Sequence, residues 1–154
     1  MTVTAPPRPP FISSVIYKDN RAALKWLQEA FGFEASEVLT DAKDNIVHAE
    51  MTYGGGVIMI GSEFTSWAKS PASVGGSNTQ RVHVRLHKDI DGHCAHAREA
   101  GATIAGDPTD QFYGDRTYSA MDLEGHHWTF SQAVKTVTSA EMEQATGFKY
   151  KPLA

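Results

Sequence analysis

The sequence lacks the features that mark a disulfide scaffold, a membrane span or a nucleic-acid-binding protein. Cys94 is the only cysteine, which excludes an intrachain disulfide and favours a reducing compartment. No apolar run approaches the roughly 20 residues that a membrane-spanning helix needs, and the first ten residues lack the apolar core of a signal peptide. Lysine and arginine are scattered, and the formal net charge is -4. These absences argue against nucleic-acid and anionic-membrane partners and predict a cytoplasmic protein.

The chain does contain enough apolar residues for a sizeable core, at 41% of 154 residues. That length fits one domain or two small halves that share a core. Apolar periodicity and turn-forming residues divide it into five segments. These are an extended N-terminal segment over 1–10, a first module over 11–62, a connector over 63–79, a second module over 80–133, and a tail with a short helix over 134–154.

Both modules show the same predicted order of one strand, one helix and three further strands. Three landmarks recur at an offset of 69 or 70 positions: the Asp that opens each helix, the Gly that closes it, and the Gly before the last strand. The pairs are Asp19 and Asp89, Gly32 and Gly101, and Gly55 and Gly125. A repeated β-α-β-β-β unit is therefore predicted, and two such units together would enclose a cleft for a ligand.

Several stretches in this arrangement resemble the vicinal oxygen chelate superfamily, which includes glyoxalase I, bleomycin-resistance proteins and extradiol dioxygenases. The helix "AALKWLQEAFGFE" and the stretch "HAEMTYGGGVIMIG" are similar to its glyoxalase-like subgroup, as is "DIDGHCAHAREAGATI". The closing stretch "YGDRTYSAMDLEGHHWTF" is similar to the family's final motif, with Leu123 where that motif usually has proline. The resemblance covers residues 11–133. It implies an α+β fold, in which two tandem βαβββ modules form a curved mixed β-sheet around a cleft, and a homodimer.

The resemblance also identifies four positions at which metal-dependent relatives place their ligands. One lies near the start of each module's first strand, and one lies on each module's last strand. In this chain they correspond to Ile12, Val82, Met59 and Thr129, and a shift of one residue would exchange Val82 for His83. Transition metals prefer at least three imidazole or carboxylate ligands. We therefore predict no metal and no other cofactor.

Two strands carry polar side chains that alternate with apolar ones. His48 and Glu50 share one strand face and form either an acid–base pair in the cleft or a polar pair at the sheet rim. His83 and Arg85 also share a face, together with His87. If the opposite, apolar face of that strand packs on the helices, these three groups line the cleft and favour an anionic or polar-aromatic ligand. The sequence leaves both choices open.

Aromatic residues supply further candidates for ligand binding. Trp67 lies in the otherwise polar connector, where an indole has little structural use. Trp128 is either a core residue or a cleft residue. In the loop "DQFYGDR", Tyr113 can stack on a ligand and Arg116 can pair with an anionic group, or Arg116 can bridge to Asp115 or Glu124 and only order the loop.

The remaining reactive side chains have structural interpretations. His126 and His127 are adjacent at the start of the last strand, which favours a turn over a metal ligand or a base. His93 and His96 are three residues apart and predict a solvated helix face. Cys94 lies between them within the helix and is interpreted as a buried, unreactive thiol.

Three functional hypotheses follow. The first is a metal-independent protein of the bleomycin-resistance type that binds an aromatic or planar ligand. Its predicted contacts are the side chains of His48, Met59, Trp67, His83, Arg85, Tyr113, Arg116, Trp128 and Thr129. The second is a glyoxalase- or dioxygenase-type enzyme with an atypical metal site built from His48, Glu50, His83 and His126. The third is a metal-free lyase or isomerase with His48 or Glu50 as general base.

Overall fold

The structure, a computed structural model, describes residues 8–153. The first module contains β1 (Ser13–Tyr17), α1 (Asn20–Phe31), β2 (Glu34–Thr40), β3 (Ile46–Tyr53) and β4 (Gly56–Ser62). The second contains β5 (Val82–Arg85), α2 (Ile90–Glu99), β6 (Thr103–Asp110), β7 (Asp115–Met121) and β8 (His127–Ala133). A single 3-10 turn, Pro71–Ser73, lies in the connector, and α3 (Ser139–Thr146) follows the second module. The elements of the two modules fall inside 11–62 and 80–133. Residues 1–7 of the predicted N-terminal segment lie outside the described residues.

The strands form two four-stranded mixed sheets of identical order, β1-β4-β3-β2 and β5-β8-β7-β6. The first strand of each module runs parallel to the last, and the other neighbours are antiparallel. The predicted α+β fold of two tandem βαβββ modules is confirmed, with the strands divided between two sheets.

The repeated landmarks mark the ends of the two long helices. The Asp19 side chain accepts a hydrogen bond from the Ala22 amide, and Asp89 accepts one from Gly92. These contacts satisfy amides that have no partner within the helix. Gly32 ends α1 in the left-handed conformation. Glycine adopts this conformation with little steric strain because it has no Cβ.

Each sheet has one face that packs on the helices, called the helix face here, and a second called the open face. Met51, Ile60, Tyr118 and Phe130 lie on the helix faces and are at most 2% exposed. Phe31 of α1 meets both Trp128 and Phe130 of β8 edge-on. The two modules therefore share one hydrophobic core.

The two helical histidines hydrogen-bond to the first module. The prediction of a solvated face is wrong for His93, which is half-buried, whereas His96 is exposed. His93 Nε2 lies 3.0 Å from the Phe31 carbonyl oxygen, and His93 Nδ1 lies 2.6 Å from the Tyr118 hydroxyl. His96 Nε2 lies 2.6 Å from the Glu29 carbonyl oxygen. Burial lowers the pKa of His93. Helical spacing placed the two imidazoles together but did not reveal that α1 lies beside them.

The two modules meet along a boundary that we call the seam. Hydrogen bonds from the stretch "DLEGHHW" join the modules at one end of the seam, which we call the latched end. One oxygen of the Asp122 carboxylate accepts hydrogen bonds from the Tyr17 hydroxyl at 2.6 Å and from Trp128 Nε1 at 3.0 Å. The other oxygen accepts from the amides of Glu124 and His126. Burial and then the Asp122 charge raise the pKa of Tyr17 well above its ordinary value, so the phenol remains a donor. Asp122 therefore joins the first strand of one module to the last turn of the other.

Two further side chains complete the latched end. Glu124 accepts hydrogen bonds from the backbone amides of Lys18 and Asp19 and from the Ser70 hydroxyl. His126 Nε2 lies 2.6 Å from the Ile16 carbonyl oxygen, and its ring meets Tyr17 edge-on. These contacts give His126 a structural role.

The opposite end of the seam, which we call the open end, is joined by weaker contacts. The β3–β4 turn reaches β5, and the Tyr53 ring stacks on His87 with 6.4 Å between the ring centroids. Gly54 has a φ of 53° and lies against the His87 ring. Among the described residues, no side-chain hydrogen bond joins this turn to His87, in contrast to the latched end.

Candidate functional site

The open face of the second module is polar. Val82 and Val84 pack against the core, so His83 and Arg85 point to the open face, as strand alternation requires. His83 Nε2 lies 2.8 Å from the Ser131 hydroxyl, and Arg85 pairs with Asp115 at 3.2 Å. This arrangement decides which face of the strand is polar, and it places His83 and Arg85 beside β8.

Strand register corrects two of the four positions expected to match metal ligands. Ile12 precedes β1 and Val82 lies on the helix face, so neither has the expected place. The residues opposite Met59 and Thr129 are Ser14 and His83. Both positions were misplaced because the sequence does not reveal how many residues separate the start of the first strand from the Asp that opens the helix.

The corrected set does not match a transition-metal site. Ser14, Met59, His83 and Thr129 offer two hydroxyls, one thioether and one imidazole, whereas such sites need several imidazoles or carboxylates. Within residues 8–153, no group of three His, Cys, Asp or Glu side chains is arranged to hold a metal ion. The Thr129 hydroxyl is buried and finds no partner among the described residues.

A cavity of about 290 Å³ lies at the open end of the seam, between the β3–β4 hairpin and β5. We call it the seam cavity. The first module contributes Phe33, Tyr53 and Val57, and the second contributes the Val82–Arg85 strand and Trp128. Residues before β1, including Pro9 and Phe11, form one further wall. Aromatic and aliphatic groups thus face His83 and Arg85 across the junction of the modules.

A second cavity of about 540 Å³ lies between the connector, β1 and the start of β8. Trp67 lines it together with Ile16, His126 and His127. Trp67 is 75% exposed and meets Phe64 edge-on. Connector residues form much of this wall, so we call it the connector cavity.

The pair of His48 and Glu50 lies on the open face of the first module. His48 Nε2 is 3.2 Å from a Glu50 oxygen, and an Arg8 nitrogen is 2.5 Å from the same oxygen. The hydrogen bond from Arg8 is the main cause that lowers the pKa of Glu50. Glu50 is therefore held as a carboxylate and is weakly basic.

Besides Trp67, three of the predicted ligand contacts lie apart from the open faces. Arg116 pairs with Asp91 and Asp110, both at 2.9 Å, so its predicted partners Asp115 and Glu124 are wrong. Tyr113 packs edge-on against Phe112 in the β6–β7 turn. Trp128 is 1% exposed and belongs to the core, although its edge reaches both cavities.

Sequence patterns did not identify Arg8, Phe33, Tyr53 and Val57, which the structure places at or beside the seam cavity. Val57 was detectable in principle, because it alternates with Met59 along β4. Arg8 carried no local signal, since its partner Glu50 lies 42 positions away in the chain.

Comparison with known proteins agrees with this architecture. The family model described as "Glyoxalase/Bleomycin resistance protein/Dioxygenase superfamily" matches residues 11–130. The crystal structure of TioX from Micromonospora sp. ML1 is 32% identical, with a TM-score of 0.65, over 80% of this chain and 97% of TioX. TnmS3, an antibiotic binding protein from Streptomyces sp. CB03234, is 18% identical, with a TM-score of 0.62, over 79% of this chain and 93% of TnmS3.

A relative in Mycobacterium bovis, the uncharacterized protein Mb0911c, is 26% identical over 135 residues, or 85% of this chain and 88% of the relative. The family match extends through all four strands of the first module and nearly all of the second, so it covers the walls of both cavities except Pro9. The chain therefore belongs to the Glyoxalase/Bleomycin resistance protein/Dioxygenase superfamily.

Proposed function

We propose that the seam cavity binds a small planar or aromatic molecule of the antibiotic type, and that it does so without a metal ion. The observation that carries this proposal is the composition of the cavity wall. Tyr53 offers an aromatic ring, Val57 and Val84 offer aliphatic surface, and His83 offers a hydrogen-bonding edge. Ligand pockets typically combine such apolar walls with a few polar groups in about 300–1,000 Å³.

The metal-free part of the proposal rests on the chemistry of four side chains. Ser14, Met59, His83 and Thr129 stand where the superfamily resemblance implies metal ligands. Hydroxyl and thioether groups are poor substitutes for carboxylates at a zinc or iron site. Of the four, His83 lines the seam cavity, where its imidazole can hydrogen-bond to an organic ligand.

The antibiotic-binding relative TnmS3 supports this choice of ligand class through its fold. Other members of the superfamily catalyse reactions, and a general base would be required for the lyase or isomerase hypothesis. Glu50 is a weak candidate, because its pKa is lowered, whereas catalytic bases usually have a pKa nearer neutrality. Binding without turnover therefore agrees best with this site.

We further propose a cytoplasmic homodimer. Cys94 is buried and free, and burial raises the pKa of its thiol, which suits a reducing compartment. Val38, Leu39 and Val47 are apolar and largely exposed near the β2 edge of the first sheet, a surface that a second copy can cover. No helix within the described part of the chain is both long and apolar enough to cross a membrane.

A cavity-filling substitution tests the proposed ligand site. Val57→Trp places an indole in the seam cavity, whereas Val134→Trp places one at an exposed position just after β8, outside the cavity wall. Isothermal titration with a bleomycin-type glycopeptide and smaller planar aromatics should show binding to the wild type and to Val134→Trp. Val57→Trp should bind at least about tenfold more weakly, a loss of about 1.4 kcal/mol.

Two results would contradict the proposal. One is the absence of binding by every planar compound. The other is a stoichiometric transition metal in the purified protein, removable by a chelator, on which binding depends.

A further inference from the structure

Glu50 is a buried acidic group on the open face of the first module. It is 5% exposed, and an ionised carboxylate at such a depth needs a charged or hydrogen-bonding partner. Its side-chain partners among the described residues are His48 at 3.2 Å and Arg8 at 2.5 Å. Both act on the same carboxylate oxygen.

Arg8 differs from His48 because it lies on a segment outside the sheets and helices. Residues 8–12, called the strap here, precede β1 and belong to no helix or strand. The Arg8–Glu50 contact is the one side-chain hydrogen bond that the strap forms with the described residues. The Phe11 ring is 92% exposed. The strap thus forms one side-chain ion pair with the sheet, and another cation can replace Arg8 in it.

We propose that Glu50 is a subsite for a cationic group of the ligand, such as an amine, amidine or guanidinium, and that Arg8 occupies this subsite in the free protein. The inference rests on the proposed function in one respect, namely that the seam cavity holds the rest of the ligand. Glu50 lies two residues before Thr52 on the same strand face, and Thr52 lines the cavity. Glu50 therefore lies about 7 Å along the strand from Thr52 at the cavity wall.

The other charged group beside the cavity is less suited to exchange its partner. Arg85 pairs with Asp115, and both residues are held in paired strands of one module. A ligand cation that displaced Arg85 from Asp115 would break an ion pair within the second sheet. Replacing Arg8 would only release the strap, which also carries Pro9 and Phe11 away from the cavity wall. Binding of the cation would therefore also widen the cavity.

The subsite is tested with ethylguanidinium, and with ethylurea as its neutral counterpart of similar shape. Binding is followed by the backbone amide shifts of residues 48–52 in the full-length protein. Arg8→Ala should bind ethylguanidinium about tenfold more tightly than the wild type, because the internal competitor is gone. Ethylurea should not bind to either protein, since the subsite recognises charge.

Two variants serve as controls. Arg21→Ala removes an arginine that pairs with Asp44 on the surface, and it should bind ethylguanidinium as the wild type does. Arg8→Ala combined with Glu50→Gln should lose the binding that Arg8→Ala gains. The proposal is overturned if Arg8→Ala and the wild type bind alike, if Arg21→Ala gains as much, or if the double variant still binds.

A pair of planar probes separates this inference from the proposed function. The wild type should prefer p-aminobenzamidine over neutral p-aminobenzamide, and Glu50→Gln should remove that preference. Equal binding of both probes, lost in Val57→Trp, would overturn the cation subsite and leave the proposed function intact. Failure of both probes and of every other planar compound, with ethylguanidinium still bound by Arg8→Ala, would overturn the proposed function and leave the subsite intact.

Discussion

The two ends of the seam between the modules are built from the same backbone elements but are held by different chemistry. At the latched end, Asp122 and Glu124 accept hydrogen bonds from the first module. At the open end, the corresponding turn contains Gly54 and Gly55, and Tyr53 only stacks on His87. The seam cavity lies at the open end. Duplication thus supplied two equivalent junctions, of which one holds the modules together and the other leaves space for a ligand.

Removing the carboxylate at the latched end should have the largest effect on stability. Asp122→Ala leaves the Tyr17 hydroxyl, the Trp128 indole N–H and two backbone amides without their acceptor. We expect the free energy of unfolding to fall by about 3 kcal/mol or more, measured by urea denaturation. Asp107→Ala removes an exposed partner of Arg98 and should cost less than about 1 kcal/mol. If the two variants lose the same free energy of unfolding, the carboxylate at the latched end has no special role in stability.

His93 connects the modules between the two ends and should make stability depend on pH. Its pKa is lowered by burial from 6.5, so just below pH 6.5 the unfolded chain binds more protons than the folded one. The stabilisation that His93 provides is therefore complete above pH 6.5 and is lost as the pH falls through the folded-state pKa.

The variant that tests this pH dependence is His93→Gln. It should lower the free energy of unfolding by about 1 kcal/mol at pH 7.5. The difference from the wild type should shrink as the pH is lowered to 5.5, since glutamine does not titrate. Denaturation curves across this range measure the difference. A constant difference would mean that His93 does not titrate differently in the two states.

The open end should tolerate the removal of its stacking contact. His87→Ala removes an exposed ring that touches Tyr53 and Gly54, and we expect a change in the free energy of unfolding of less than about 0.5 kcal/mol. The same urea assay applies. A loss approaching that of Asp122→Ala would remove the contrast between the two ends.

The sequence predicted the duplicated fold well, because the landmarks are local. Asp19, Gly32, Gly55 and Gly125 mark helix ends and turns through their own backbone and side-chain chemistry. Alternation along β5 also predicted that His83 and Arg85 share a face. These signals depend on neighbours within a few positions, and the structure confirms them.

The site was less predictable, because it depends on contacts between distant segments. Arg8 reaches Glu50 across 42 positions, and Tyr17 reaches Asp122 across 105. The shift from Ile12 to Ser14 required the β1–β4 register, which no local pattern contains. For the same reason, the sequence predicted a turn at "DLEGHHW" but did not reveal that Asp122 and Glu124 bind the first module there.

We place the ligand where both modules meet, at the open end of the seam. The sharpest test is a crystal structure of the complex with a planar compound that binds in the titration. We predict that the aromatic ring of the ligand lies between Tyr53 and His83, in contact with Val57, and that no transition metal bridges it to the protein. A ligand found instead in the connector cavity against Trp67, or coordinated through a metal ion, would show that the proposed binding site is wrong.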